Sequence, residues 1–401
     1  MQSIRNIRVA GLIALILTMT PVVSFAEKPT AEKSPADSNL QLLGPASWAS
    51  FRNGNLLHGV ATSTLPEKLE LLWKIPIADG VAGAPAIIGN RVYAPTIGGE
   101  LICLDRKTGK KLWTYYSEPK EKPDSFIPAF QSSPTVTADA IYLGDEYGFF
   151  HAVDRATGKS LWKFETGDQI VSSAGIVDDR VIFGSHDGSL YCLALEDGKK
   201  IWQYETEGPV NCTPAIVGDF TFVTGCDEHL RVINIKTGKQ EYEMLLATYL
   251  IASPAVVDNM LYVGTHSSEV IGVDWKTQKT VWRYSNPNRD APYHSSAAVT
   301  EKLVVVGGHD KNLHAIDRAT GKGQWMFPTR RRIESSPVIV GDRVFFGSGD
   351  KNIYAVDLKT GKEQWKFNAG NAVNASPAVG EGCLIIGSEA SEGHLFCFGK
   401  K

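Results

Sequence analysis

The stretch Ser336–Trp365, which reads SPVIVGDRVFFGSGDKNIYAVDLKTGKEQW, contains the pattern that decides the fold. Three short β-prone runs follow one another in it: Val338–Val340, Val344–Phe346 and Ile353–Val356. Gly341-Asp342 separates the first two runs and Gly349-Asp350 the next two, as the turns of β-hairpins do. A turn at Thr360-Gly361-Lys362 then leads to Trp365, which opens a fourth run. The stretch therefore predicts one four-stranded antiparallel sheet.

The same unit recurs along the chain. Its tryptophan is found at Trp73, Trp113, Trp162, Trp202, Trp282, Trp325 and Trp365, with Tyr242 in the remaining place. A second marker, a small residue before Pro, gives the same count of eight: Pro85, Pro134, Pro214, Pro254, Pro337 and Pro377, with Ala174 and Ala297 in place of Pro. A period of about 40 residues with four strands per unit is typical of propeller blades. The sequence therefore predicts an all-β fold, an eight-bladed β-propeller with four antiparallel strands per blade.

The two ends of the repeat region predict how the ring closes. The last unit has three strand runs, and the chain stops before a fourth. The first tryptophan run, Leu71–Ile75, has no preceding unit. Because each blade of this propeller has four strands, we expect the N-terminal strand to pair into the last blade as its fourth strand.

The region before the repeats divides into three parts. Residues 1–26 have Arg5 and Arg8 before an apolar run and a small-x-small site ending at Ala26, which predicts a signal peptide cleaved there. Residues 27–47 are rich in Pro, Ser, Glu and Lys and predict a disordered linker. Residues 48–70 are expected to pack on the outside of the ring, and residues 71–401 form the propeller. We therefore expect a periplasmic or secreted, soluble protein without an integral membrane segment.

Charge and cysteine content restrict the function classes. Loss of the leader removes two arginines and no acid, so the formal net charge of −3 becomes more negative, which argues against a nucleic-acid partner. Three cysteines occupy positions that are Ala in other repeats and predict small buried residues: Cys103, Cys192 and Cys397. Cys212 and Cys226 should point to opposite faces of a hairpin, unless a bulge shifts the register and permits a disulfide. Cys383 has no evident partner.

The turn before each tryptophan has a fixed pattern, as in Ala152-x-Asp154-x-x-Thr157-Gly158-x-x-x-Trp162. Asp and Thr can hydrogen-bond the turn backbone, Gly supplies a positive φ, and Trp covers the next blade. The pattern resembles the tryptophan-docking motif of pyrroloquinoline quinone (PQQ)-type propellers over residues 71–398. That resemblance implies either a PQQ-dependent dehydrogenase or a non-enzymatic scaffold similar to BamB of outer-membrane protein assembly. The absence of a Cys-Cys pair and the short insertions favour the scaffold.

Candidate binding residues belong to the loops between blades and to the turns between second and third strands, which should share one face of the ring. Two insertions and an arginine run supply Phe126, Phe130, Gln131, Arg289, Asp290, Tyr293, His294, Arg330, Arg331 and Arg332. The turns supply His186, Asp187, His266, His309 and Asp310. Turn capping is the ordinary role of such His and Asp residues, and we expect no metal site from histidines on separate blades.

The leading hypothesis is an exported, monomeric, non-enzymatic propeller that binds other envelope proteins or peptides on this face and on outer strand edges, without a cofactor. The alternative is an oxidoreductase that binds PQQ and Ca²⁺ over the channel, with an acid such as Asp290 as the base. A third hypothesis is that Arg330–Arg332 bind a small anion or carboxylate.

Overall fold

The computed structural model describes residues 43–119 and 127–401. These residues form eight separate four-stranded antiparallel sheets, and the eight-bladed propeller is confirmed. Within the described ranges, the regular structure other than strands is a short 3₁₀ turn, Phe51–Asn53. The predicted signal peptide, most of the predicted linker and Phe126 lie outside the described residues.

The blades follow one another in chain order, after the N-terminal strand β1 (Glu70–Ala78). Blade 1 contains β2 (Ala86–Ile88), β3 (Arg91–Pro95), β4 (Glu100–Asp105) and β5 (Lys111–Tyr116); blade 2 contains β6 (Thr135–Val136), β7 (Ala140–Gly144), β8 (Phe149–Asp154) and β9 (Ser160–Glu165). Blade 3 contains β10 (Gly175–Val177), β11 (Arg180–Gly184), β12 (Ser189–Ala194) and β13 (Lys200–Glu205); blade 4 contains β14 (Ala215–Val217), β15 (Phe220–Thr224), β16 (His229–Asn234) and β17 (Gln240–Leu245).

The second half of the ring repeats this arrangement. Blade 5 contains β18 (Ala255–Val257), β19 (Met260–Gly264), β20 (Val270–Asp274) and β21 (Lys279–Tyr284); blade 6 contains β22 (Ala298–Val299), β23 (Leu303–Gly307), β24 (Asn312–Asp317) and β25 (Gly323–Pro328). Blade 7 contains β26 (Val338–Val340), β27 (Arg343–Gly347), β28 (Asn352–Asp357) and β29 (Glu363–Asn368). Blade 8 contains β30 (Ala378–Gly380), β31 (Cys383–Gly387) and β32 (Glu392–Gly399), with β1 as its fourth strand.

The ring is closed by the N-terminal strand, as predicted. Strand β1 pairs antiparallel with β32, and Lys74 lies opposite Phe396 in the register. Blade 8 is therefore assembled from the two ends of the propeller sequence. Because all the other blades lie between these two strands in the sequence, the pairing fixes the whole ring rather than one local hairpin.

The first strand of each blade lines the axis of the ring. Contacts between strands of neighbouring blades join first strands, for example β10 with β14, β14 with β18 and β18 with β22. The fourth strand is the outer edge of its sheet. The middle strands are buried along most of their length, with β23 reading Leu-Val-Val-Val-Gly. Their continuous apolar runs are typical of sheets that are covered on both faces.

The tryptophans dock each blade onto the next. Trp162 of blade 2 donates its Nε1–H to the carbonyl oxygen of Leu195 in blade 3 at 3.1 Å. Its ring also covers Gly198, whose φ is +70°. In blade 4, Tyr242 replaces tryptophan and its hydroxyl donates to the carbonyl oxygen of Trp275. A phenol can therefore reach the same acceptor in the following turn that an indole reaches elsewhere.

This docking predicts a difference between two glycines that both have positive φ. A Cβ at Gly198 would lie 2.5 Å from Cε3 of Trp162, whereas a Cβ at Gly218, with φ +55°, meets nothing within 4 Å. Gly198→Ala adds a clash to the backbone strain, so we expect it to destabilise by about 2–3 kcal/mol, and Gly218→Ala by about 1 kcal/mol. Urea unfolding of both variants measures the difference. Equal losses of unfolding free energy in the two variants would show that Trp162 can move away from the new methyl group without an energetic cost.

Residues 46–61 of the N-terminal segment lie inside the ring, so for these residues the prediction of packing on the outside is wrong. The N–H groups of Ile216, Val256 and Val299, in the first strands of blades 4 to 6, donate to carbonyl oxygens of residues 55–58 at 2.8–2.9 Å. Similar hydrogen bonds, one of them from the Asn55 side chain, connect residues 46–61 to blades 1, 2, 3, 7 and 8, at the first strand or directly after it. The physical reason is that inner strands have unpaired N–H and C=O groups facing the axis, and the segment satisfies them.

Arg52 holds this internal segment in place. Its side chain is 1% exposed, and Nη1 and Nη2 donate to the carbonyl oxygens of Pro337 and Ala297 at 2.6 and 2.7 Å. Burial lowers the pKa of Arg52 from 12.5 to about 9. We call residues 46–61 the axial plug, because they fill the channel beside the inner ends of the blades.

All six cysteines are free thiols. Cys103, Cys192 and Cys397 are fully buried small residues in the middle of their sheets. Cys383 has neighbours that the sequence did not indicate. The Nη1 of Arg106 donates to its Sγ at 3.2 Å, and a hydrogen bond with Cys397 together with this guanidinium lowers the pKa of Cys383.

Candidate functional site at the loop-bearing mouth

The loops between blades and the turns between second and third strands share one face, as the repeat predicts. Gly167, in the loop after blade 2, donates its N–H to Oδ2 of Asp187 at 2.8 Å, and Asp187 belongs to such a turn in blade 3. Thr206 in the next loop donates to the carbonyl oxygen of Gly188 at 2.9 Å. We call this side of the channel the loop-bearing mouth. The axial plug occupies the channel towards the other side.

A series of hydroxyl groups encircles the channel just inside this mouth. Backbone N–H groups of one blade donate to hydroxyls of the next at 2.9–3.1 Å; the donors are Ala84, Ser133, Ser173, Thr213, Ser253, Ser296 and Ser336, and the acceptors are Ser133, Ser173, Thr213, Ser253, Ser296, Ser336 and Ser376. Ala84 has no hydroxyl, so the series is interrupted between blades 8 and 1. The small residue before Pro in the repeat is thus a contact between blades.

These hydroxyls line a cavity of about 330 Å³ on the axis. Phe51 of the axial plug, Gln131 and His294 also line it. The volume is at the lower end of the range for small-molecule sites. The lining contains hydroxyls, amides and one imidazole, so it can hydrogen-bond a small polar group. Within the described residues it carries no lysine or arginine.

Four of the candidate residues meet at one side of the mouth, where blades 5, 6 and 7 adjoin. We define the rim cluster as His266, His294, His309, Arg332 and Glu334. Nε2 of His309 lies 2.9 Å from Oε1 of Glu334, and Nδ1 of His294 lies 3.9 Å from Oε2. Nε2 of His294 lies 3.2 Å from Nδ1 of His266, and Nε of Arg332 lies 3.0 Å from Oε1 of Glu334.

The protonation states in the rim cluster follow from burial and neighbouring charges. Burial, followed by the positive charge of His309, lowers the pKa of His294 to about 4, so this imidazole is neutral at pH 7. Burial opposes ionisation of Glu334, but its interactions with His309 and Arg332 outweigh burial and lower its pKa. Burial raises the pKa of Glu389, which accepts a hydrogen bond from Asn374 at 2.8 Å nearby.

Phe130 and Tyr293, from the two insertions, are buried anchors rather than surface residues. Phe130 packs edge-on against His151, with ring centroids 5.2 Å apart, and Tyr293 packs in the same way against His314 at 5.2 Å. Each insertion is therefore held by an aromatic ring on a buried histidine. These two aromatic residues support the loops and are not accessible to a partner.

Asp310 belongs to a buried Tyr–His–Asp chain that has a counterpart in blade 2. Nδ1 of His314 lies 3.0 Å from the hydroxyl of Tyr284, and its Nε2 lies 2.9 Å from Oδ2 of Asp310. Burial opposes ionisation of Asp310, but the interactions with His314 and Asn286 lower its pKa to about 2. The chain links blades 5 and 6 and is closed to solvent, so it stabilises the interface between blades.

The remaining candidates lie apart from the rim cluster. His186 is half-buried in blade 3, where its Nδ1 contacts Nε2 of Gln169 at 3.0 Å, and Asp187 accepts a hydrogen bond from the hydroxyl of Tyr191 at 2.7 Å. The exposed candidates are Gln131, Arg289, Asp290, Arg330 and Arg331. The histidines at equivalent repeat positions therefore do not form one group.

Sequence reasoning missed two features of this face. Glu334 lies in the rim cluster, but it stands beside an arginine run and nothing in its local pattern marks it. Three large side chains near the mouth are exposed, namely Tyr147, Leu245 and Tyr249, with exposed fractions of 57%, 66% and 49%. Departure from the repeat could have indicated Leu245, because the equivalent positions of blades 2, 3, 6 and 7 carry Glu, Pro or Asn.

Fold and docking motif together define a β-propeller of the PQQ type. The sequence model described as outer membrane protein assembly factor BamB matches residues 66–169, 148–289 and 243–401, so the chain belongs to this family. Two curated relatives match shorter stretches. A BamB from Aliivibrio fischeri is 30% identical over 89 residues, covering 19% of this chain and 23% of the relative. The quinohemoprotein alcohol dehydrogenase ADH IIB of Pseudomonas putida is 36% identical over 80 residues, covering 20% and 11%.

Solved structures share the fold with lower identity. BamB from Moraxella catarrhalis superposes with a TM-score of 0.68 at 20% identity, over 83% of this chain and 98% of that one. Quinohemoprotein alcohol dehydrogenase from Comamonas testosteroni superposes with a TM-score of 0.74 at 12% identity, over 91% and 83%. Both solved proteins thus share this architecture with the chain. No helix in the described part of the chain is both long and apolar enough to cross a membrane.

The residues that line the axial cavity do not fit PQQ with Ca²⁺. PQQ is an acidic ring system whose carboxylates need cationic or multiple N–H partners, and His294 is the basic side chain among the described residues that line the axial cavity. Ca²⁺ takes six to eight oxygen ligands. Over residues 43–119 and 127–401, the group of three potential metal ligands is His294, His309 and Glu334, in which two of the three donors are imidazole nitrogens.

Proposed function

We propose that this protein is an exported scaffold of the cell envelope that binds other envelope proteins or peptides, and that its task is outer-membrane protein assembly. Membership of the family described as outer membrane protein assembly factor BamB supports this function. The stretch shared with the Aliivibrio fischeri BamB supports it further. The chain acts as a monomer whose loop-bearing mouth faces the partner.

The observation that carries the proposal is the composition of the mouth. The axial plug occupies the channel towards the other side, and around the loop-bearing mouth large side chains are exposed in addition to the small axial cavity. Tyr147, Leu245, Tyr249, Arg330 and Arg331 are distributed around it. Tyr and Arg are enriched in protein interfaces, because each combines contact area with hydrogen-bond donors.

The outer strand edges offer a second kind of contact. The fourth strands of four blades expose an aliphatic side chain directly before the docking Trp, namely Leu112, Leu161, Ile201 and Val281. Their N–H and C=O groups on the outer side have no partner strand within the described propeller. An extended peptide can add to such an edge by main-chain hydrogen bonds, with the aliphatic side chains giving apolar contact.

Site-specific photo-crosslinking tests the proposal in cells that carry the protein in their envelope. We expect a crosslinking residue at Tyr249 or Arg331 to capture a component of outer-membrane protein assembly or an unassembled outer-membrane protein. The matched control is Lys359, an exposed position in a turn on the opposite face. The proposal is wrong if neither mouth position captures such a protein, or if Lys359 captures it equally well.

A second candidate function is a PQQ- and Ca²⁺-dependent oxidoreductase, favoured by the 36% identity to the Pseudomonas putida enzyme over 80 residues. We place it behind the scaffold because the donor set at the mouth does not suit Ca²⁺. Addition of PQQ and Ca²⁺ to the purified protein should give no stoichiometric chromophore and no dye reduction. A tightly bound quinone at one equivalent would overturn this order.

A further inference from the structure

We propose that His294, His309 and Glu334 form a binding site for a divalent first-row transition metal ion such as Zn²⁺. The site would lie in the rim cluster, on the loops of blades 6 and 7. It is independent of the proposed scaffold function. The expectation of no metal from the sequence considered histidines at equivalent repeat positions, whereas this group combines two neighbouring loops and one turn.

The spacing of the donor atoms supports the site. One ligand atom from each of the three residues lies within 4.8 Å of the other two. A tetrahedral ion with ligand bonds of 2.0–2.1 Å needs donor atoms about 3.4 Å apart. The contacts of Glu334 with His309 and with His294, at 2.9 and 3.9 Å, lie on either side of that separation. Small side-chain rotations therefore suffice to surround an ion.

The hydrogen bonding of the two histidines leaves suitable atoms for the metal. Nε2 of His309 is buried and lies 2.9 Å from Oε1 of Glu334, so it is directed at the carboxylate that would share the metal. His294 uses Nε2 to contact His266, which leaves Nδ1 directed at Glu334. Metal-binding histidines commonly use one ring nitrogen for the metal and the other for an orienting neighbour. His266 has the position of that neighbour.

The donor set indicates which ions would bind. Two imidazoles and one carboxylate suit Zn²⁺ and its transition-metal neighbours, whereas Ca²⁺ and Mg²⁺ prefer oxygen ligands. Three protein ligands also leave a coordination position open, as in zinc sites that bind water or a further ligand. Because His294 also lines the axial cavity, that position would adjoin the cavity.

Arg332 competes with the metal for Glu334. Its Nε lies 3.0 Å from Oε1, but its side chain is 60% exposed. The guanidinium can move into solvent without leaving a buried charge unpaired, so its displacement costs little. We therefore expect the metal to replace this ion pair, and removal of Arg332 to strengthen metal binding.

Isothermal titration of untagged, chelator-treated protein with ZnCl₂ tests the site. We expect one Zn²⁺ per chain, with no binding of Ca²⁺ or Mg²⁺ under the same conditions. His309→Gln and Glu334→Gln should each weaken Zn²⁺ binding by at least about 100-fold, and His266→Gln by about 10-fold. Arg332→Gln should strengthen it several-fold, and this result does not depend on the stability of the ligand variants.

The matched control is His186→Gln, which removes the histidine at the equivalent repeat position of blade 3 and should leave binding unchanged. Co²⁺ provides a second probe, because visible absorption bands report nitrogen and oxygen ligands in a four-coordinate site. Circular dichroism shows whether each variant is folded. Failure to bind one equivalent of Zn²⁺, or equal losses in the His186 and His309 variants, would overturn the proposal.

Discussion

Replacement of Phe396 with proline is expected to abolish the cooperative fold. Phe396 is buried in β32, the strand between β1 and β31 in blade 8. Proline removes an N–H from a central strand and leaves its buried partner unsatisfied, which costs about 1–3 kcal/mol, and loss of the buried ring adds about 3–5 kcal/mol. The sum is comparable with the total stability of an ordinary domain. Urea unfolding followed by circular dichroism and tryptophan fluorescence measures the loss.

Two variants separate ring closure from general effects. Phe396→Leu keeps the N–H and most of the apolar volume, and should cost less than about 1.5 kcal/mol. Leu161→Pro places the same proline at an exposed position of an edge strand, where the register shift between Ala152 and Val153 leaves Leu161 without a paired residue. If Phe396→Pro unfolded no more readily than Leu161→Pro, closure by β1 and β32 would not carry the stability of the ring.

Replacement of Arg52 with alanine is expected to destabilise the protein by about 3 kcal/mol, because two buried carbonyl oxygens lose their donor. These acceptors belong to blades 6 and 7, and truncation of the side chain also opens a cavity in the channel. Desolvation of the charge offsets part of this loss, so the effect stays below the sum of two charged hydrogen bonds. The change in free energy of unfolding is the quantity to measure.

Arg52→Met distinguishes the two causes, because methionine fills part of the space but donates no hydrogen bond. Its loss should be close to that of Arg52→Ala if the carbonyls dominate. Arg289→Ala, at an exposed loop position, should change stability by less than about 0.5 kcal/mol and serves as the control. A neutral Arg52→Ala variant would mean that the axial plug is not held by this residue.

Much of the fold could be predicted because each blade is formed from one continuous stretch of about 40 residues, except the blade that closes the ring. The turns Gly341-Asp342 and Gly349-Asp350 separate strands that pair with their immediate neighbours in the sequence. The turn residues and the apolar runs between them therefore predict the strands and their pairing. The repeated tryptophan gives the number of blades, and the missing fourth strand at the end gives the closure of β1 on β32. The same periodicity correctly assigns the loops and turns to two faces of the ring.

The candidate site could be predicted only in part. The repeat placed His294 and His309 on the right face but also suggested that His186 shares their position around the mouth. Phe130 and Tyr293 are aromatic and lie in insertions, where such residues anchor the loop somewhat more often than they contact a partner. Only the contacts with the buried residues His151 and His314, seen in the tertiary structure, show that Phe130 and Tyr293 are loop anchors.

The sequence by itself determined the blade, its count and the strand that closes the ring, because these depend on turn residues and on patterning within a single repeat. Only the tertiary structure decided where residues 46–61 lie and which side chains meet in the rim cluster. The axial plug forms hydrogen bonds with strands from every part of the propeller sequence. No local sequence pattern indicates which backbone groups of these strands are left unpaired and can bind the plug. Glu334 likewise meets His294 and His309 because the angle between blades brings two separate loops together at the mouth.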